Sequence, residues 1–274
     1  MTDIRYPCFA RGRILKLDML ENLRDFPRDA VDCFYEDFSD GIVCGLTPVI
    51  EKDTIVFSKG ILKYNGKVYL ISDLPPLPYA ETTTEVAVKI VFQQEEERPD
   101  YIAQHFELLI DKTEKNDKNI STPKNEVEIF RFKLKKAAYL RSDYQDLEDF
   151  VTEYNTINVV HALYAGYGKP TLSPLVMRYF GQAALEFSPQ NPWDISFVML
   201  CVNSARVERD VILHYLRQRF ANMESKANNR STEKPEGLSN PEIHMQLVKV
   251  LEMIKREKAP VKRPLNQRHR ITLD

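Results

Sequence analysis

The sequence predicts an α+β protein: an N-terminal antiparallel β-rich domain, as a sandwich or open barrel, preceded by short helices and followed by a small C-terminal helical bundle. Three observations predict it. Before about residue 140, short runs rich in Val, Ile, Phe and Tyr are bounded by Gly, Pro and Asp, the pattern of strands. After it, apolar residues recur at three- and four-residue spacing, the period of a helix. Ser173-Pro174, Asn191-Pro192 and Asn240-Pro241 each place a capping side chain before a proline, which suits a first helical turn. The implied organisation is an N-terminal helical segment at 1–40, a β-rich domain at 41–140, a helical domain at 141–257 and a basic, flexible tail at 258–274.

In the first segment Leu17, Leu20, Leu23 and Phe26 form one helical block, and Ala30, Val31, Phe34, Tyr35 and Phe38 form a second. Pro27 stands between them. Proline disrupts a helix interior, so two short helices are expected. The strand candidates follow as GIVCGLTPVIE, TIVFS, GILKY, KVYLI, EVAVKIVFQ, YIAQHFELLI and EVEIFRFKL. The last alternates charge with apolar residues and reads as half exposed. The polar tract DKTEKNDKNISTPKNE, with no apolar period, reads as a mobile loop.

Four helical stripes follow. Val176, Tyr179, Phe180 and Ala184 mark the first. WDISFVMLCV is apolar nearly all round, so a buried central helix is expected there. Val211, Ile212, Tyr215 and Leu216 mark the third, and Ile243, Leu247, Val250 and Ile254 the fourth. NMESKANNRSTEKPEGLS joins the last two as a flexible connection.

The chain has 274 residues, 43% of them apolar and 28% charged, within the range of a soluble globular protein. No apolar run reaches the roughly 18–20 residues that span a bilayer, and MTDIRYPCFARGR has no signal-peptide core. The expected location is the cytoplasm, or a phage-like particle released by lysis, with no membrane partner. Net charge is −2, but the last 20 residues hold 7 basic and 2 acidic residues, while residues 1–150 hold 21 basic and 28 acidic. Opposite patches on neighbouring copies can attract, so self-association is open. Cys8, Cys33, Cys44 and Cys201 lack metal or disulfide spacing and read as reduced, mostly buried thiols.

The stretch SKGILKYNGKVYLI tests for nucleotide chemistry. A phosphate loop needs Gly, four residues, then Gly-Lys-Ser/Thr at a helix N-terminus. Here five residues separate Gly60 from Gly66, Val68 replaces the hydroxyl, and a strand follows. Asn65-Gly66 is instead the preferred two-residue hairpin turn. It pairs Tyr64 with Lys67, Lys63 with Val68, Leu62 with Tyr69 and Ile61 with Leu70. The hairpin base should be covered on two sides, with the tip and its two lysines in solvent.

His105, His161, His214, His244 and His269 lack metal-ligand spacing, and no Gly-x-Ser-x-Gly elbow occurs. EDFSDG lacks the distal glutamate of a calcium loop and reads as a helix-ending turn. LYAGYGKP is either a contact loop or a connector. No catalytic, cofactor or metal site is expected, and the protein is not expected to be an enzyme. The candidate contact residues are Tyr64, Asn65, Gly66 and Lys67 at the hairpin tip, with Lys262, Arg263, Arg268 and Arg270 in the tail. The tail could also bind nucleic acid together with the C-terminal helices, but no aromatic platform accompanies it.

GLTPVIEKDTIVFSKGILKYNGKVYLIS resembles the small β module of phage tail-fibre and baseplate anchoring proteins. That module runs strand, turn, strand ending in Gly, strand, Asn-Gly, strand; Gly60 and Asn65-Gly66 fit it. The plan of the chain, with DIRYP at the start and TLSP opening the helices, is similar to proteins of prophages and phage-tail-like particles in Firmicutes. The resemblance implies a structural or adaptor component of a tail-like or contractile injection assembly, with other assembly subunits as partners. The helical half departs from long fibre proteins, which disfavours a receptor-binding fibre.

Overall fold

In the computed structural model of the chain the described residues are 7–12, 14–112, 125–227 and 237–258, without the side chains of 222–227 and 258. The helix α1 (Leu17–Phe34) comes first. Strands β1 (Gly41–Gly45), β2 (Pro48–Glu51), β3 (Thr54–Phe57), β4 (Gly60–Tyr64), β5 (Lys67–Ile71) and β6 (Leu77–Pro78) follow. Next come β7 (Val86–Phe92), β8 (Glu96–Glu97), β9 (Ile102–Ala103), β10 (Phe106–Lys112) and β11 (Glu126–Phe132). Four helices close the chain: α2 (Pro174–Glu186), α3 (Pro192–Asn203), α4 (Arg209–Ala227) and α5 (Asn240–Lys258). The class is α+β, as expected.

The described strands pair antiparallel in small sheets ordered β1-β4-β5, β2-β3-β6 and β10-β7-β11, with β8 against β9. GIVCGLTPVIE, read as one strand, is broken into β1 and β2 around Leu46, which takes a positive φ of 54°. Central β7 is flanked by β10 and β11 and buries Val86, Val88, Ile90 and Phe92. A register shift between Glu128 and Phe130 lets β11 bury Ile129, Phe130 and Phe132 together. Strict alternation forbids neighbours sharing a face, and a bulge relaxes it. The strand expected to be half exposed is therefore largely core on that side.

The expectation of two N-terminal helices is corrected: α1 runs through Pro27 without a break. None of its residues is buried. The expectation of a buried central helix is also corrected. α3 buries Asp194, Phe197, Val198 and Cys201, while Trp193, Ile195, Met199 and Leu200 are exposed. It packs on α2, which also meets α5, and α5 meets α4. Phe197 stacks on Tyr215 of α4 at 3.8 Å.

Helix starts follow the sequence unevenly. Asn191 accepts from the Trp193 backbone N–H at 3.0 Å, a true N-cap. Ser173 makes no such bond. Asn240 braces the fold instead, donating to the Ala162 carbonyl and accepting from Arg209. The start of α5 is held by Ser239, whose backbone N–H and hydroxyl both donate to Glu242 at 2.7 Å.

Residues 141–173 contain no α-helix, only a 3-10 turn at Glu148–Val151. Isolated bridges tie this stretch to the sheets, Arg131 with Asn158 and Ile42 with Tyr164, and to the turn after α1, Phe38 with Tyr167. LYAGYGKP doubles back on itself through a Tyr164–Thr171 bridge. Gly41 is needed where it passes, since a Cβ there would lie 2.6 Å from the Leu163 carbonyl oxygen. The loop therefore has the contacts of a connector. The tract at 113–124, much of the 222–239 connection, and the tail lie outside the described residues.

Candidate interaction surface

The β4–β5 hairpin has the register that the sequence predicts, from Tyr64 opposite Lys67 to Ile61 opposite Leu70. Asn65 and Gly66 take φ of 48° and 77°, so the left-handed turn is real and Asn-Gly suits it. Asn65, Gly66 and Lys67 are exposed. Asp40 holds the turn from below, accepting from the backbone N–H of Asn65 at 2.9 Å and of Gly66 at 3.3 Å.

Tyr64 is half-buried and stacks on Phe92 at 4.0 Å, with Tyr69 tilted against the same ring. Its ring serves the hairpin's seat on β7, and loss of hydration, with the Asp40 charge nearby, raises its pKa. Lys67 donates to Glu95 at 2.6 Å, and that bond raises its pKa. Leu70, expected under cover, is 72% exposed.

Lys63 departs most from expectation. It is 4% exposed, not a tip lysine in solvent. Its ammonium donates to the carbonyls of Tyr35 at 2.5 Å, Glu36 at 2.8 Å and Phe38 at 2.7 Å. An ammonium has three donors, and here each meets an acceptor. Those carbonyls lie at and just beyond the end of α1, where helices leave carbonyls unsatisfied and carry partial negative charge. Lys63 thus ties α1 to the hairpin, and EDFSDG is the helix-ending turn it grips.

The largest exposed apolar feature of this region is α1 itself. Leu17 is 71% exposed, Leu23 55% and Phe34 73%, with Leu20 and Val31 also exposed. The sequence shows this amphipathic spacing, but not which way the face points. Of the eight candidate contact residues, the structure brings Tyr64, Asn65, Gly66 and Lys67 together. Lys262, Arg263, Arg268 and Arg270 lie outside the described residues.

His244 is buried, with its Nε2 2.8 Å from the Leu147 carbonyl, and burial lowers its pKa. Among the described residues no cluster of His, Cys, Asp or Glu could hold a metal ion. The expectation of mostly buried thiols fails: Cys8 precedes α1, Cys33 lies on the uncovered α1 and Cys44 is an exposed position of β1, so all three are exposed. Only Cys201 is buried, its pKa pushed up to about 12 by desolvation. No described helix is long and apolar enough to cross a membrane.

No family model matches the chain, and no curated protein matches it. Among solved structures the chain is similar to a crystal structure of TssK. The two share 11% identity with a TM-score of 0.41, over 94% of this chain and 70% of that one. It is also similar to a chain of the TssK-TssF-TssG baseplate subcomplex of a type VI secretion system. There identity is 9% and TM-score 0.36, over 91% of this chain and all of that one. A chain of the baseplate complex from the type VI secretion system gives 8% and 0.36 over the same shares. Identity and score are both too low to carry a functional argument.

Proposed function

We propose that the chain is a non-enzymatic structural or adaptor component of a phage tail-like or contractile injection assembly, acting through protein–protein contacts. The observation that carries this reading is the fold of residues 45–72. They run as β2, a turn, β3, β4 opening at Gly60, the Asn65-Gly66 turn and β5, close to the order of the anchoring module this stretch resembles. Gly60 sits where a Cβ would approach the Leu46 backbone N–H to 2.6 Å, a physical reason for the module's glycine. The partners are other subunits of the assembly, met through the hairpin tip.

The test is a pull-down of the tagged full-length chain from native lysate, followed by sedimentation of tail-like particles. The chain is expected in the particle fraction, and its absence from purified particles overturns the reading. Salt-dependent binding to DNA or RNA that vanishes on deleting residues 255–274 would instead favour the nucleic-acid role.

A further inference from the structure

The helix α1 stands in an unusual condition. It has 18 residues and buries none of them. Isolated helices of about this length are marginal in water, and most helical stability in proteins comes from packing an amphipathic face. Pro27 adds a cost of about 3 kcal/mol as an interior proline. Among the described residues, its ties to the body are the carbonyls that Lys63 takes at its C-terminal end and a contact with β5. An exposed, proline-interrupted helix of this kind implies a surface that covers it.

Its sequence separates cleanly around the helix axis. At 100° per residue, Met19, Leu20, Leu23, Phe26, Pro27, Ala30, Val31, Cys33 and Phe34 fall within one arc. Polar residues and Leu17 fill the remainder. Arg24 and Arg28 border the arc on one side, and Asn22, Asp29 and Asp18 border it on the other. The exposed portions of Leu20, Leu23, Val31 and Phe34 amount to on the order of 400 Å² of surface. A standard interface buries roughly 800 Å² a side, a little over half of it apolar, so this face is large enough for one. It does not suit a membrane surface, where the polar face should be rich in Lys and Arg. Here the helix carries Asp18, Glu21, Asp25, Asp29 and Asp32 against Arg24 and Arg28.

We propose that α1 is a self-association element, its apolar face packed against the same face of a second copy of this chain with the two helices parallel. The flanking charges decide both the partner and the direction. When two such helices lie parallel, the basic flank of each faces the acidic flank of the other. When they lie antiparallel, like flanks meet and repel. Flanking charges of this kind set partner choice and orientation in paired helices. In register, the flank of one copy that carries Arg24 and Arg28 runs alongside the flank of the other that carries Asp18 and Asp29, on both sides of the pair. In the single chain Arg24 is bonded to its neighbour Asp25, at 2.6 and 2.8 Å, a surface contact that it can exchange.

The experiment is sedimentation velocity of the full-length chain over a concentration series, with far-UV circular dichroism of every variant. The wild type is expected to sediment as more than one copy, and Leu23→Glu or Phe34→Glu as a monomer with an unchanged body. Arg24→Glu or Asp29→Arg alone should weaken association roughly threefold or more, and the double variant Arg24→Glu/Asp29→Arg should restore it. The rescue separates a lost contact from a damaged fold. A wild type that stays monomeric to roughly 100 μM overturns the proposal and leaves the face to a different protein. Association indifferent to Leu23→Glu, or a charge swap that fails to restore it, overturns it as well. The outcome is independent of the proposed adaptor role, which is read from particle sedimentation.

Discussion

Lys63 is buried because each of its donors has somewhere to go. An unpaired buried ammonium would be costly, yet here the end of α1 and the turn beyond it supply three carbonyl acceptors. Replacing it by Met keeps the aliphatic stem and removes the charge, leaving those carbonyls without their donor. Lys63→Met should lower stability by about 2–3 kcal/mol, read from a urea unfolding midpoint. Arg should rescue poorly, since a planar fork does not reproduce the ammonium's three directions. An unfolding midpoint equal to wild type would show that water serves these carbonyls as well. None of this was legible locally. The sequence shows a lysine near a turn, but its partners stand 25–28 residues upstream and are backbone atoms. The same distance effect hid the role of Asn240, which looked like a cap and braces Ala162 and Arg209 instead.

Elements were legible where their cause is short-range. Asn65-Gly66 fixes turn type, and the turn fixes register, so the pairing of β4 with β5 followed from two residues. Gly66 tests that cause directly. A Cβ placed there meets nothing within 4 Å, so substitution is strained only by its φ of 77°. Gly66→Ala should cost about 1–2 kcal/mol, and Gly66→Asn less, because Asn tolerates the left-handed region. Thermal melts of the two variants check the order. A Gly66→Ala melt like wild type would mean that the turn relaxes to another type.

Elements misread were those decided by neighbours. Pro27 marks a weak point in any helix, but it removes one hydrogen bond without forbidding the turn, and α1 continues through it. WDISFVMLCV is apolar on every side, and only the placement of α2 and α4 selects which side is core. In β11 the bulge at Glu128–Phe130, invisible to period-two counting, turned a half-exposed pattern inward.

At the scale of the molecule the order of strands before helices was legible from periodicity alone. The 141–173 connection was not, since its isolated bridges to the sheets leave no repeating pattern. The body holds one contiguous buried cluster, from Ile42 through Phe130 and Phe180 to Ile254, to which α1 contributes nothing. That separation makes a prediction about the whole chain. A truncation that begins at Phe34 removes nearly all of α1 but keeps the Tyr35, Glu36 and Phe38 carbonyls that hold Lys63. Because the residues lost from α1 bury no side chain, the body should melt within a few degrees of the full chain, as expected for a change of about 1 kcal/mol or less. A melting temperature that collapses, or a truncated chain that fails to fold, would show that α1 contributes to the stability of its own body after all. A preserved melt together with loss of the higher-mass species in sedimentation would separate the two roles. The body would then be the folding unit, and α1 the part of the chain that only assembly completes.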